Sequence, residues 1–214
     1  MTWDVIVLGA GAAGLMAGIE AARRGRRVLV LDHAKSPGEK IRISGGGRCN
    51  FTNLHIAPDR FLSQNPRFAL SALRRYTQHD FIARMNTAGI AWHEKTLGQL
   101  FCDGSARQVV DMLVRDLSDA GGELRLGVTV KRVTRGFLVE TSEGSLSADS
   151  VIVTTGGKSI PKMGATGFGY DVAEAFGLRL IETRAGLVPL IFTDAQLDWM
   201  KPLAGLSVQA RVGL

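Results

Sequence analysis

The chain has 214 residues, 45% hydrophobic and 21% charged, which suits one large or two small domains with a real core and excludes a disordered or fibrous chain. Its two cysteines, Cys49 and Cys102, are too few for a disulfide scaffold and fit no CxxC or zinc spacing, and no stretch reaches the ~20 apolar residues of a membrane span. A cytoplasmic protein with no membrane partner and no metal is therefore expected. The net charge is +6, but much of the excess sits in Arg23-Arg24-Gly25-Arg26-Arg27, which reads as a solvated helix end more readily than as a nucleic-acid patch.

The first element is Val5-Ile6-Val7-Leu8, a run that reads as a strand buried on both faces. It is not a signal peptide, because Asp4 stands where a basic region should be. Gly9, Gly11 and Gly14 follow as G-x-G-x-x-G, a tight turn into a helix from Ala12 to Arg24 that ends at Gly25. Gly9 allows the turn, Gly11 lets a diphosphate approach the backbone, and Gly14 lets the helix press on the strand. A second buried strand, Val28 to Leu31, ends in Asp32, 23 residues after Gly9, where a carboxylate can accept from an adenosine ribose. Strand, helix and terminal acid together make a βαβ unit for a dinucleotide, with His33 placed to flank the adenine.

From His33 to Asn53 neither helix nor strand is signalled. The run Ser44-Gly45-Gly46-Gly47-Arg48-Cys49-Asn50 reads as backbone laid against a ligand, with Arg48 for a phosphate or a ring carbonyl. Asn65-Pro66 opens a helix to Tyr76, and Thr77 with Asp80 caps another to Gly89. Ile90 to His93 and Gln99 to Cys102 read as a hairpin, and Ser105 starts a helix that Gly121-Gly122 ends. Glu123 to Val130 is expected as the third parallel strand, setting Val130 near the adenine. Three short strands, 131–133, 137–141 and 145–148, then form a meander, and a separate buried strand from Asp149 breaks in Thr155-Gly156-Gly157. Lys158 to Gly169 reads equally as a lip over the cofactor and as a turn into a helix over Asp171 to Phe176. Leu197 to Leu203, with Trp199 and Met200, reads as packing or as an interface with a further domain.

A βαβ start, a β-meander crossover and a strand ending in Thr-Gly-Gly is the layout of a glutathione-reductase-type FAD-binding Rossmann domain, an α/β fold with a parallel sheet. The chain resembles the bacterial family known as aminoacetone oxidase family FAD-binding enzymes or NAD(P)/FAD-dependent oxidoreductases, which includes a 3-dehydro-bile-acid reductase. The resemblance rests on Ser44 to Asn53, on Thr155 to Tyr170 and on Leu187-Val188-Pro189-Leu190. It implies that Gly9, Gly11, Ala12, Ala13 and Gly14 hold the diphosphate and Asp32 the ribose. It further implies that Lys40, Gly46, Gly47, Arg48, Cys49 and Asn50 meet the diphosphate and flavin, Val130 the adenine, and Thr155, Gly156 and Gly157 the cofactor wall. The expected activity is hydride transfer between FAD and a small organic substrate or NAD(P)H. The catalytic residues stay open, because the flavin carries the chemistry.

Two departures bear on this reading. Members carry Phe-Pro where this chain has Phe101-Cys102, and a returning Gly-Glu segment that closes the flavin site is not found. Leu206, Val208, Ala210, Val212 and Leu214 alternate like a strand up to the last residue. The expectation is an FAD-binding domain over 1–187, with a helical insertion at about 58–104, and the beginning of an incomplete second domain over 188–214. Another part of the same protein would complete the site, so this piece alone would hold FAD weakly. The alternatives are a plain NAD(P)-binding Rossmann protein, a flavoprotein-like RNA-binding or tRNA-modifying module, and an inactive folding unit. Cys49 reads as a packing residue beside the cofactor rather than as a redox thiol, since no second cysteine accompanies it. Of the four histidines, His55 and His93 read as residues near a substrate pocket, and none pairs at a spacing that implies a triad or a metal site.

Overall fold

The computed structural model describes residues 2–159, 166–185 and 193–206. Contacts divide the chain into two units, Met1–Leu180 and Ile181–Leu214. In the first unit the order is β1 (Trp3–Leu8), α1 (Ala12–Arg23), β2 (Val28–Asp32), α2 (Glu39–Ile43), β3 (Asn50–Asn53), α3 (Leu70–Arg75), α4 (Gln78–Thr87), β4 (Trp92–Glu94), β5 (Gln99–Cys102) and α5 (Arg107–Asp119). It continues with β6 (Glu123–Leu126), β7 (Val130–Thr134), β8 (Leu138–Thr141), β9 (Gly144–Val153) and α6 (Phe168–Ala175). The second unit holds α7 (Asp194–Met200) and a single 3-10 turn at Lys201–Leu203.

The main sheet has six strands in the order β6-β2-β1-β9-β8-β7, with β6, β2, β1 and β9 parallel. Side chains alternate across a strand, so β1 and β2 feed two cores. Val5, Val7, Val28 and Val30 pack with Leu15 and Ile19 of α1 and Leu113 and Leu117 of α5. Ile6, Leu8, Leu29 and Leu31 pack on the other face with Val133, Val139 and Val172. Because both faces are covered, the strands read as continuous apolar runs rather than alternating ones.

Several expectations are corrected here. The last meander strand and the following parallel strand are one continuous strand, β9, whose first half pairs antiparallel with β8 and whose second half pairs parallel with β1. The strand expected to reach Val130 stops at Leu126, because Gly127 turns the chain at φ +73°. Val130 opens β7 instead, paired with Thr141. The stretch read as structureless contains α2 and β3, and β3 joins β5 and β4 in a second, three-stranded sheet of order β3-β5-β4. The helix expected from Asn65 is only the short α3, since Ser63 and Asn65 side chains draw the preceding backbone into turns. The cap at Thr77 is as expected: its hydroxyl accepts from Asp80 N–H and the Asp80 carboxylate accepts from Thr77 N–H at 2.6 Å. Ile160 to Ala165, Leu187 to Leu190 and the alternation from Val208 to Leu214 lie outside the described residues.

One ion pair ties α4 to α5. Arg84 donates from Nε to Asp116 Oδ2 at 2.8 Å, and its guanidinium also reaches Met16 Sδ on α1. Both side chains are largely covered, so removing one partner leaves the other poorly solvated. Asp116→Ala is expected to lower stability by ~1–3 kcal/mol in urea unfolding, whereas Asp111→Ala, on the same helix and not in the pair, changes it little. Cys49 and Cys102 are both buried and free. Burial pushes both thiols up, Cys102 to about 11 with help from the charges of Cys49 and Asp103. The unfolded thiols ionise near about 8.5 while the folded Cys102 keeps its proton, so this contribution is complete below that pH and fades as pH rises toward the folded value. The urea midpoint should fall over that alkaline window in wild type and fall less in Cys102→Ala.

Candidate functional site

The parallel strands β1, β2 and β9 all end at one edge, and the turn after β1 lies in the crevice there. Gly9 has φ +107°, and a Cβ on Gly14 would stand 1.7 Å from the Gly9 carbonyl oxygen and 2.7 Å from Thr154 Oγ1. Only a residue without a side chain lets the first turn of α1 sit this low on the strand end. Thr154 locks the junction, its hydroxyl lying 2.8 Å from the Leu8 carbonyl and 3.0 Å from that of Gly9. Among the described residues no side chain caps α1, whose N-cap is Gly11, and a Cβ on Gly11 would meet none of them within 4 Å. The exposed first-turn residues Ala12 and Ala13 thus present their amides at the positive end of the helix dipole.

Asp32 turns into this crevice. Its Oδ2 accepts from Ala10 N–H at 2.6 Å and its Oδ1 from Ala34 N–H at 2.9 Å. A carboxylate offers about four acceptor directions, of which these two backbone amides take two. His33 is exposed beside it, with Nδ1 3.4 Å from Asp32 Oδ1. Val128 N–H donates to the Asp32 carbonyl at 3.0 Å, which brings the 127–130 connection, and with it Val130, alongside the end of β2.

The triple-glycine loop follows α2, before which Gly38 N–H donates to the Ala10 carbonyl at 2.9 Å. Gly45, Gly46 and Gly47 lie at φ +59°, +68° and +88°, and Cys49 at +52°. This left-handed run holds because its neighbours fix it. Ala106 N–H donates to the Gly47 carbonyl at 2.8 Å, Cys102 N–H to that of Arg48 at 2.9 Å, and Asn50 N–H to Ser44 Oγ at 3.1 Å. Arg48 and Asn50 are exposed, while the Cys49 side chain is buried in the core. Burial holds the thiol protonated, against the Ser44 hydroxyl that favours its anion, so packing is what this cysteine does.

Lys40 joins α2 to the Thr-Gly-Gly turn: its Nζ donates to Ser159 Oγ at 3.1 Å and stands 3.6 Å from where a Gly156 Cβ would be. Thr155 Oγ1 lies instead against Gly169 of α6, and Lys158 stacks over Tyr170 at 5.2 Å. The structure thus gathers Gly9, Gly11, Ala12, Ala13, Gly14 and Asp32 at one crevice and sets Lys40 against Gly156, whereas Thr155 turns toward α6.

The Thr154 hydroxyl has only alternation along the strand to signal it in the sequence. His93, read from the sequence as a residue near a substrate pocket, has a partner that the sequence does not signal: its Nδ1 lies 2.6 Å from Asp103 Oδ1, and the imidazole stacks on Phe101 at 6.3 Å. The Phe101 ring in turn covers Gly45 of the loop, 2.5 Å from where a Cβ would be.

Comparison with known proteins places the chain in a family. A curated Escherichia coli (strain K12) protein named ribosomal RNA dihydrouridine synthase is 50% identical over 209 residues, which cover 96% of this chain and 52% of the relative. The 3-dehydro-bile acid delta(4,6)-reductase of Clostridium scindens is 29% identical over 86% of this chain and 46% of its own length. This chain therefore spans about half the length of these curated relatives. Among solved structures, the open conformation of a flavocytochrome c3 fumarate reductase shares the fold, with a TM-score of 0.55 and 22% identity over 81% of this chain and 40% of that one. The family model for the HI0933-like protein Rossmann domain matches residues 3–206, and the chain belongs to that family.

Proposed function

We propose that this chain is the dinucleotide-holding part of an FAD-dependent oxidoreductase. The observation that carries the reading is the uncapped start of α1, with Gly11 open above it and Asp32 turned into the same crevice. The residues fit the cofactor: amides of Ala12 and Ala13 for the diphosphate, the Asp32 carboxylate for the ribose, and the Gly46 to Asn50 backbone with Lys40 for the flavin side. Bound FAD supplies hydride transfer. The chain's own residues bind and orient it, and Lys40 adds a cation beside the Thr-Gly-Gly turn. NAD(P)H is the proposed source of reducing equivalents. The left-handed glycine loop and the meander favour FAD over the plain NAD(P)-binding alternative.

The acceptor we propose is a uracil ring of ribosomal RNA, reduced across its C5–C6 double bond. The 50% identical relative named for that activity supports it over a free small molecule, and the net charge of +6 suits a polyanion. The second reading, a small organic substrate, is supported by the more distant bile-acid reductase.

Titration with FAD, followed by flavin fluorescence, tests the cofactor assignment. Asp32→Asn keeps an acceptor for Ala10 N–H and loses the charge that faces the ribose, so FAD affinity should fall about tenfold relative to wild type. NAD(P)H should compete poorly with FAD. Unchanged affinity in the variant would remove Asp32 from the site. Incubating the protein with FAD, NAD(P)H and uridine-containing rRNA should produce dihydrouridine; turnover of free small enones without any RNA product would favour the second reading.

A further inference from the structure

Between β3 and α4 the chain leaves the fold as a long excursion. From Pro58 to Tyr76 it carries Arg60, Arg67, Arg74 and Arg75 against one acid, Asp59, a net +3 out of the chain's +6. Three of the arginines directly precede an aromatic residue: Arg60-Phe61, Arg67-Phe68 and Arg75-Tyr76. Phe68 is 82% exposed and Leu62 94%, and Phe61 and Tyr76 are more than a third exposed. Arg60 lies 3.8 Å from Asp59, while the side chains of Arg67, Arg74 and Arg75 make no ion pair or hydrogen bond among the described residues. Of the arginines around Gly25, two are engaged: Arg23 pairs with Glu20 and Arg27 stacks on Trp3.

A run of exposed apolar rings interleaved with cations marks an interaction surface. A protein partner with an apolar face would leave the guanidinium groups uncompensated. Single-stranded RNA supplies both halves of the match, phosphates for the arginines and flat bases for the rings. We propose that residues 58–76 are a docking surface for single-stranded RNA, with Arg60, Arg67, Arg74 and Arg75 on phosphates and Phe61, Phe68 and Tyr76 stacking bases. This rests on the RNA reading above and gives it a place in the fold. The excursion issues from β3, which continues the triple-glycine loop, so a strand held here is tethered one short element from the cofactor crevice.

The test is fluorescence anisotropy of the FAD-loaded protein with a labelled uridine-rich single-stranded RNA of about 16 nucleotides, over a range of salt. Replacing all four arginines by Gln should weaken binding at least tenfold and flatten the log–log salt slope by about 2–3. Phe61→Ala with Phe68→Ala should weaken binding about tenfold and leave the slope unchanged. Because these positions are exposed, melting temperature and FAD affinity should hold in both variants. Wild-type affinity in the variants overturns the surface while leaving the RNA reading intact. No binding by wild type also overturns the surface, and dihydrouridine formation then decides the RNA reading separately. A change of oligomeric state by light scattering with unaltered RNA affinity marks the face as a protein contact and likewise overturns the proposal.

Discussion

Everything at the crevice depends on how closely α1 approaches the ends of β1 and β9. Gly14 rests on the Gly9 carbonyl, and the Thr154 hydroxyl bonds the carbonyls of Leu8 and Gly9 from the neighbouring strand. This contact fixes the helix axis relative to the sheet. It thereby aims the first-turn amides at the space beside Asp32, whose carboxylate is itself tied to the same turn through Ala10 N–H. A helix shifted outward by the width of one methyl group would keep its dipole and lose its aim. Binding here is therefore a matter of preorganisation: the donors are placed before any ligand arrives.

The parts of this arrangement that follow from backbone sterics were legible in the sequence. The glycine fingerprint, the apolar strands and the acid after β2 report geometry that few other residues could adopt, so β1, α1 and β2 lie where the pattern sets them. The parts that depend on distant partners were not. Asn50-Phe51-Thr52-Asn53 is too polar to announce a strand and becomes one only because β5 lies alongside. Similarly, β9 changes partners near Ala148, from β8 to β1, and this change of surroundings makes one continuous strand look like two. Val130 reads as part of a parallel strand because nothing local distinguishes the Gly127 turn from a bulge. His93 and Asp103 are ten positions apart, and only the β4–β5 hairpin brings them together.

The second sheet has a role that its sequence did not suggest. A left-handed backbone at three successive glycines removes little steric cost from the folded state but loses much conformational freedom on ordering, and Cys49 at φ +52° adds strain of about 1–3 kcal/mol. Such a loop persists only where its surroundings over-determine it. Phe101 covers Gly45, two backbone amides from β5 and the start of the next helix reach Arg48 and Gly47, and the buried Cys49 side chain pins the loop into the core. The hairpin is thus a splint for the loop. It also explains why Cys102 is buried beside it: the residue after Phe101 must be small and apolar for β5 to lie flat against Cys49 and the core. By the same logic the 58–76 excursion is inserted between two elements, β3 and α4, that are each fixed to this splint. Its exposed arginines and phenylalanines can stay uncovered because β3 is held by its pairing with β5, and α4 by the capping box at Thr77 and the Arg84–Asp116 pair.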